Sequence, residues 1–374
     1  MNKNLLITLD YPPAWGGVSD YYAQLVRHWP DGALDVLDNN DGRLWPCQLA
    51  GKSARGGIFK WLKILVAVAR AVWRGQYQRV LVGQIIPLGW AAYVLRVWLG
   101  WIFKFEYGVF LHGLDFTLAL KTARRRWLAG LILKRARWII CANSYTAGKV
   151  REFLGDEMAG RVKVVNPGVD VQGASGLGLS VTEAHQKLKL VGEPIILTVG
   201  RSVKRKGADK MLLALPQILK KYQRVLYVVL GEGPELENWR ILAEKLGVAN
   251  RTQFVVGADQ KEKWLYYQAC DLFVLPAVDL DGDYEGFGIV YLEAGLMGKP
   301  VVAGRSGGVA DAVIDGQTGL IVDASQPENL TMAISKLLDD AELRDRMGRA
   351  GRERAKREFN WERQARRIAE ILVE

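Results

Sequence analysis

The chain has 374 residues, too many for one average domain and about right for two. Hydrophobic residues make up 49% of it, which excludes a disordered chain, and its three isolated cysteines exclude a disulfide framework and a cysteine zinc site. The net charge of +11 comes entirely from residues 1–170, where 23 Lys and Arg stand against 12 Asp and Glu, and this asymmetry favours a polyanionic partner.

The first half of the chain alternates short β-rich runs with longer helical stretches. It opens on MNKNLLITLDYPP, which lacks the apolar core and cleavage site of a signal peptide, so we expect a cytosolic protein. The short runs predict strands at Asn4–Leu9, Leu34–Leu37, Arg79–Gly83, Phe105–His112, Trp138–Ala142 and Arg161–Val165. The longer stretches predict helices at Ile58–Trp73, Leu88–Leu99 and Thr122–Ala136.

A second series of the same kind follows in the C-terminal half. Its predicted strands are Ile195–Val199, Val225–Leu230, Thr252–Val256, Asp271–Leu275, Pro300–Ala303 and Leu320–Val322. Its predicted helices are Ala208–Lys221, Glu235–Leu246, Lys261–Ala269, Phe287–Met297 and Pro327–Leu338, followed by charged helices around 341–373. Strands that alternate with long helices predict parallel sheets covered on both faces, so the fold class is α/β with two doubly wound, Rossmann-like domains.

The Gly/Ser-rich segment Gly173–Ser180 separates the two series. We therefore predict a first domain at residues 1–172, a linker at 173–192 and a second domain at 193–355. A C-terminal helix at 356–374 is expected to pack back on the first domain.

Ligands of parallel sheets bind beyond the carboxyl ends of the strands, and candidate residues follow several predicted strands. Gly16 and Gly17 follow the first strand, where backbone N–H groups can approach an anion, although an ordinary glycine turn is the alternative. His112 follows the fourth strand, as either a catalytic or a structural histidine. Gly231 begins a short Gly-Glu-Gly turn, which is a weaker indication of a ligand.

The loop Gly200–Gly207 carries Arg201 and Lys206 and leads into a predicted helix N-terminus. An arginine, a lysine and a helix dipole suit a diphosphate, although a solvated basic loop is the alternative.

Glu285 and Glu293 lie eight residues apart around the predicted start of a helix. Gly286 and Gly288 leave backbone amides accessible there for a phosphate, and the two acids suit the hydroxyls of a sugar-like ligand. Glu293 lies in an apolar run, and a mostly buried glutamate normally has a partner. Nearby, the acidic stretch Asp279–Asp283 departs from a calcium loop, so we interpret it as a polar surface loop.

Residues 52–138 hold 16 basic side chains, seven tryptophans and only two acidic residues. In the predicted helix Ile58–Arg74, four basic residues fall within an arc of about 80° at 100° per residue. They are Lys60, Lys63, Arg70 and Arg74. This pattern favours contact with an anionic membrane, and a solvated face of a core-packed helix is the alternative. The apolar stretch Ile85–Phe103 is interrupted by Pro87, Arg96 and Gly100, which favours a crossover helix over a membrane span.

Taken together, these motifs resemble the retaining family 4 glycosyltransferases of the GT-B fold over essentially the full length. The matching pieces, in chain order, are Gly16-Gly17, His112-Gly113, Asn143-Ser144, Asn166–Asp170, Gly200-Arg201 with Lys206-Gly207, Gly231–Gly233, Glu285 with Glu293, and Ser306–Gly308. The sequence EGFGIVYLEA around Glu285 is most similar to the lipid-directed mannosyltransferases of that family, including phosphatidylinositol mannosyltransferases.

The resemblance implies a role for each matching position. Arg201 and Lys206 would hold the donor diphosphate, and Gly16 and Gly17 would approach the phosphates across a central cleft. Glu285, with the amides of Phe287 and Gly288, would bind the donor sugar. Glu293 would bind the ribose, and His112 would lie against the sugar. The acidic lead-in Asp279–Asp283 is a departure that puts the entrance of the sugar pocket in doubt.

The implied reaction transfers a hexose from a nucleotide diphosphate sugar to an acceptor hydroxyl, with retention of configuration and without a metal. The expected acceptor is a lipid or glycolipid at the cytosolic face of the cytoplasmic membrane, where the protein would bind peripherally. Neither a cofactor nor nucleic acid is expected. The sequence does not identify the nucleotide or the sugar of the donor, and GDP-mannose is the favoured candidate.

Three alternatives remain. The first is a soluble transferase of the same family that acts on a small sugar or a polysaccharide. The second is a basic nucleic-acid-binding protein, which would not explain the paired glutamates in the neutral half. The third is a nucleotide-cofactor dehydrogenase, which should show G-x-G-x-x-G after a strand, and neither glycine turn fits that pattern.

Overall fold

The computed structural model describes residues 3–14, 16–30, 34–40, 44, 57–175 and 178–374. They divide into two compact units. Unit 1 comprises Met1–Gly168 and Trp361–Glu374, and unit 2 comprises Val169–Asn360.

The described residues form twelve strands, six in each unit. They are β1 Asn4–Ile7, β2 Leu34–Leu37, β3 Arg79–Val82, β4 Glu106–Leu111, β5 Trp138–Cys141, β6 Val162–Val164, β7 Ile195–Val199, β8 Leu226–Leu230, β9 Thr252–Val255, β10 Leu272–Leu275, β11 Val301–Gly304 and β12 Gly319–Val322. Each lies within a residue or two of a predicted strand.

Helices connect these strands and cover both faces of each sheet. They are α1 Gly17–Arg27, α2 Gly57–Gly75, α3 Trp90–Val97, α4 Leu114–Leu120, α5 Ala123–Arg135, α6 Ser144–Leu154, α7 Asp156–Ala159, α8 Val171–Ser175, α9 Val181–Leu188, α10 Ala208–Lys221, α11 Leu236–Lys245, α12 Gln260–Ala269, α13 Ile289–Leu296, α14 Val309–Ala312, α15 Pro327–Asp339, α16 Ala341–Glu358 and α17 Trp361–Ile371.

Every strand pair is parallel, and central strands such as β7 are buried along their whole length. Alternate side chains of β7 point to opposite faces, so that Ile195 and Leu197 join one hydrophobic cluster and Ile196 joins another. Burial of both faces explains the nearly continuous apolar runs of the sequence. The prediction of two doubly wound sheets is confirmed.

The strand orders place a switch point in each sheet. Unit 1 has the order β2-β1-β3-β4-β5-β6, and unit 2 has the order β12-β11-β10-β7-β8-β9. The order reverses between β1 and β3 in unit 1 and between β7 and β10 in unit 2. Doubly wound sheets bind ligands at the carboxyl edge beside such a reversal.

The segment predicted as a linker, 173–192, differs from that expectation because it contains α9. Ser180 caps this helix and forms a capping box with Glu183, whose carboxylate accepts from the Ser180 backbone N–H at 2.7 Å. The buried Ala184 packs with Leu265 and Ala269 of α12. Helix α9 is therefore a packed part of unit 2.

The apolar stretch Ile85–Phe103 is likewise divided, into a short turn at Ile85–Gly89 and helix α3. Within the described ranges, no helix has both the length and the apolar character that crossing a membrane requires.

Candidate functional site

The strongest candidate site lies at the switch point of unit 2. Lys206 follows β7 in a single 3₁₀ turn, and Glu285 lies between β10 and the start of α13. Because β7 and β10 are neighbours in the sheet, their carboxyl ends meet at one edge. Two residues 79 positions apart in sequence thus come into direct contact.

Glu285 is only 5% exposed, and two cations neutralise it. Lys206 Nζ lies 2.7 Å from Glu285 Oε2, and Arg205 Nη1 lies 2.5 Å from the same oxygen. Burial alone would raise the pKa of Glu285, but Lys206 and Arg205 outweigh this effect and hold the pKa below its usual value. The site therefore keeps a buried carboxylate ionised.

Lys206 is also buried, and burial lowers its pKa although Glu285 opposes the change. Its turn is held close to the β10 loop by Gly207, which has φ 70° and leaves room for no side chain. A Cβ at Gly207 would lie 1.9 Å from the carbonyl oxygen of Pro276. Any other residue at position 207 would push the two loops apart.

Arg205 was not predicted as a site residue, yet it joins three parts of the site. Its Nε lies 3.2 Å from Asp283 Oδ1, and its backbone oxygen accepts a hydrogen bond from Val278 N–H at 2.9 Å. Asp283 belongs to the acidic stretch that departs from the family pattern. At the other end of that stretch, Ser306 Oγ donates to Asp279 and accepts from Glu285 N–H at 2.9 Å. Asp279 therefore helps to hold Glu285 in place through Ser306, and the rest of the stretch is a polar surface loop.

Glu293 lies inside α13, is 8% exposed and also has its own partners. Lys263 Nζ lies 2.6 Å from Oε1, and the Tyr267 hydroxyl donates to Oε2 at 2.8 Å. Lys263 and Tyr267 were not predicted. They are four residues apart on α12, a spacing that a helix brings to one face, and this was the signal available in the sequence.

The remaining predicted residues of unit 2 are distributed along the same carboxyl edge. Gly288 precedes α13 with φ 81°, and Phe287 beside it is buried against Phe359 at 5.7 Å between ring centres. Gly231 follows β8, and its N–H donates to Val255 O, which leaves it unavailable to a ligand. Arg201 is exposed, and no described residue pairs with its guanidinium group.

Unit 1 places Gly16 and Gly17 at the start of α1, directly after β1 and beside the switch point. No described atom, the adjacent residues aside, lies within 4 Å of where a Cβ would stand at either glycine. Their assignment to an anion remains a prediction.

His112 follows β4, and its Nε2 lies 2.9 Å from the hydroxyl of Tyr22 on α1. The Tyr22 hydroxyl donates its single proton to Gly83 O at 3.0 Å, so Nε2 carries a proton and donates to Tyr22. Burial lowers the pKa of His112 to about 4, which keeps the ring neutral near pH 7. Nδ1 is then unprotonated and can accept a hydrogen bond.

Asp115 supports the turn that holds His112. Its Oδ1 accepts hydrogen bonds from the backbone N–H groups of His112 at 3.0 Å and Gly113 at 2.8 Å. Burial raises the pKa of Asp115 to about 6, although these hydrogen bonds oppose the increase.

Three of the four predicted basic residues of α2 are exposed, namely Lys63, Arg70 and Arg74. The side chain of Lys60 lies outside the described part of the structure. Beside the basic strip, Leu62, Val66 and Trp73 form a second strip of exposed apolar side chains. Among the described residues, no group of three or more His, Cys, Asp or Glu is arranged to hold a metal ion.

The comparisons with known proteins agree with this arrangement of strands and motifs. Residues 180–354 match the family described as glycosyl transferases group 1. This region is a glycosyl transferases group 1 domain. It contains the Lys206–Glu285 pair and Glu293, so the candidate site of unit 2 lies within the matched domain.

The curated relatives include two mycobacterial proteins named GDP-mannose-dependent alpha-(1-6)-phosphatidylinositol monomannoside mannosyltransferase. The one from Mycolicibacterium smegmatis is 34% identical over 61% of this chain, and the match spans only 60% of that relative. The one from Mycobacterium tuberculosis is 27% identical over the whole of this chain and 98% of its own length.

Among solved structures, sucrose-phosphate synthase from Thermosynechococcus elongatus superposes with a TM-score of 0.81 at 24% identity. The match covers 100% of this chain and 98% of that protein. At this identity the likeness shows the fold alone. The chain has the GT-B fold, as the motifs implied.

Proposed function

We propose that the protein transfers a mannosyl residue from GDP-mannose to a hydroxyl group of a phosphatidylinositol-type glycolipid, with retention of configuration. The observation that carries this proposal is the buried Glu285 held between Lys206 and Arg205 at the switch point of unit 2. The names of the two mycobacterial relatives support the donor and the acceptor class.

The donor diphosphate is assigned to Arg201 and Lys206. Arg201 is exposed, has no ion-pair partner among the described residues and can form a bidentate pair with a phosphate, and Lys206 adds a compact charge. The N-terminus of α10 begins directly after Gly207 and adds the positive end of a helix dipole. These groups stabilise the charge that develops on the leaving diphosphate.

Glu285 is assigned to the hydroxyls of the donor sugar, with the amides of Phe287 and Gly288 beside it. An ionised carboxylate is a strong acceptor for hydroxyl groups, and Lys206 and Arg205 hold Glu285 in that state. Glu293 is assigned to the ribose. Its Oε1 accepts from Lys263 and its Oε2 from Tyr267, and each oxygen keeps a second lone pair that can accept from a ribose hydroxyl.

In unit 1, Gly16 and Gly17 are assigned to phosphate and His112 to a sugar hydroxyl that donates to Nδ1. The leaving phosphate would accept the proton of the attacking hydroxyl on the same face of the sugar. No side chain is then required as a base, and no metal is assigned. The protein contributes positioning and charge stabilisation.

The acceptor is assigned to a membrane because of the surface of α2. Lys63, Arg70 and Arg74 form its basic strip, and Leu62, Val66 and Trp73 form the adjacent apolar strip. Such a helix can lie in the headgroup region of an anionic bilayer, with its cations on the phosphates. We place the protein peripherally on the cytosolic face.

A thermal-shift screen of nucleotide sugars tests the donor assignment. GDP-mannose at 100 times its dissociation constant should add about 2.7 kcal/mol to stability. UDP-glucose and ADP-glucose are the comparison ligands. Stabilisation by one of these and not by GDP-mannose would contradict the assignment.

A further inference from the structure

A pocket of about 360 Å³ opens at the amino ends of β3 and β4, at the sheet edge opposite the carboxyl ends that Gly16, Gly17 and His112 follow. Arg79 begins β3 and Glu106 begins β4, and the two residues are partners in the strand register. His112 follows the opposite end of β4. A strand of six residues spans about 20 Å, so the pocket is separate from the candidate site of unit 1.

The charge in the pocket wall is unbalanced. Arg79, Arg96 and Lys104 line it, and no carboxylate among the described residues pairs with any of the three. The one acid in the wall, Glu106, is already engaged, because Arg137 Nη1 lies 3.0 Å from its Oε1. Three cations around one opening, with no partner carboxylate in the described part of the chain, repel each other, and an anion bound between them would relieve that repulsion.

Exposed tryptophans neighbour the residues of the pocket wall in sequence. Trp98 and Trp101 flank Gly100 of the wall and are 72% and 77% exposed. Trp73, at the end of α2, is 65% exposed and packs edge to face on Phe103 at 6.2 Å. Tryptophan side chains with one apolar and one polar end are enriched at the headgroup level of membranes.

We propose that this pocket binds the phosphate of an anionic lipid headgroup, with Trp73, Trp98 and Trp101 inserted beside it. The proposal rests on the membrane contact proposed for α2 and adds a specific headgroup site to it. α2 is about 28 Å long, and Trp73 in its last turn packs on Phe103, which precedes Lys104 of the pocket wall in sequence. The pocket and the exposed strips of α2 would thus belong to one membrane-facing surface.

The charges of the pocket can be removed without touching the candidate donor or acceptor residues. The test variant is Arg79→Gln/Arg96→Gln/Lys104→Gln. Its matched control is Lys220→Gln/Lys245→Gln/Lys336→Gln, which removes three exposed lysines of unit 2 and changes the net charge equally. Co-sedimentation is measured with phosphatidylcholine vesicles that either contain or lack phosphatidylinositol.

The pocket variant should bind phosphatidylinositol vesicles on the order of 100-fold more weakly than the native protein at low salt. The control variant should bind within about twofold of the native protein, and Trp98→Ala/Trp101→Ala should also bind more weakly. Equal binding by the pocket variant and the control would overturn the headgroup site.

Two further arms distinguish the headgroup site from membrane docking by α2 alone and from binding of a free phosphate ester. If native protein binds the vesicles and Lys63→Gln/Arg70→Gln/Arg74→Gln releases it while the pocket variant does not, membrane docking stands and the headgroup site fails. If native protein ignores anionic vesicles altogether, the docking proposal itself fails.

Glycerophosphoinositol serves as a soluble probe. Saturable binding of it at the pocket without vesicle binding would identify a free phosphate ester as the ligand and contradict the lipid assignment.

Discussion

Lys206 and Glu285 form a buried ion pair, with Lys206 Nζ 2.7 Å from Glu285 Oε2, at the edge where β7 and β10 end. A buried pair of this kind is costly unless its charges are fully partnered. Arg205 completes it on one side. The other side is where the proposed donor would bring a diphosphate to Lys206 and hydroxyl groups to Glu285.

The first prediction concerns the cations assigned to the diphosphate. Arg201→Ala and Lys206→Ala should each lower kcat/KM by roughly 10²-fold or more, because each removes charge stabilisation from the leaving group. Lys204→Ala is the control, since Lys204 lies in the same turn and no described residue forms an ion pair with it. Near-native activity of a folded Lys206→Ala protein would place the diphosphate elsewhere.

The second prediction assigns Arg205 a positioning role through Glu285. Because the pKa of Glu285 is held below its usual value, activity that needs the carboxylate is retained as pH falls until that pKa is reached. Arg205→Met removes one of the two cations and should raise the pKa of Glu285. The acid limb of the kcat/KM profile should then move up by about one pH unit.

Arg205→Lys keeps a cation beside Glu285. The acid limb of its kcat/KM profile should lie close to that of the native protein. Asp283→Asn should have little effect, since Asp283 contacts the guanidinium group and not Glu285. An acid limb that stays in place in Arg205→Met would contradict the positioning role, whatever the loss of overall rate.

The third prediction separates the two glutamates. Glu293→Gln and Lys263→Met should each weaken GDP affinity by about tenfold, because each disturbs the hydrogen-bonded group assigned to the ribose. Lys261→Met is the control, an exposed lysine on the same helix. Glu285→Gln should mainly lower turnover. GDP titration of all four variants provides the measurement, and equal loss of affinity in Glu285→Gln and Glu293→Gln would remove the distinction between them.

The fourth prediction follows from the low pKa of His112. The folded protein keeps the ring neutral down to about pH 4, whereas the unfolded chain binds a proton near pH 6.5. Protonation of His112 in the unfolded chain therefore lowers the free energy of unfolding as pH falls from 6.5 to 4. At pH 5 this decrease is about 2 kcal/mol. His112→Asn should lose less stability than native protein between pH 7 and pH 5, as measured by calorimetry. An identical loss in both proteins would show that His112 titrates normally.

The fold was predictable because each strand and helix leaves its own pattern of apolar residues in a short stretch of sequence. Each strand of the parallel sheets is buried on both faces, and this leaves a short apolar run such as Ile195–Val199 between helical stretches. The predicted ends of several strands differ from the observed ends by one or two residues. The predicted linker at 173–192 contains helix α9 instead, because the Gly and Ser residues drew attention away from the Ser180–Glu183 capping box.

The site was predictable only in part, because its contacts are not local. Glu285 and Glu293 could be identified by their spacing and by a resemblance to a known family. Their partners could not, since Arg205 is 80 positions from Glu285 and Lys263 lies on another helix. Which of several basic residues pairs with an acid depends on the order of the strands, and no local pattern specifies that order.

The proposed mannosyl transfer from GDP-mannose to a lipid acceptor can be measured in a single incubation. Native protein is incubated with GDP-mannose labelled in the sugar and with vesicles containing phosphatidylinositol monomannoside, and the lipid product is isolated. We predict labelled lipid in which the new linkage has the α configuration of the donor, and an initial rate of labelling that is lower by about 100-fold or more with Lys206→Ala. Label that appears only in water-soluble products, or a β linkage in the lipid, would contradict the claim.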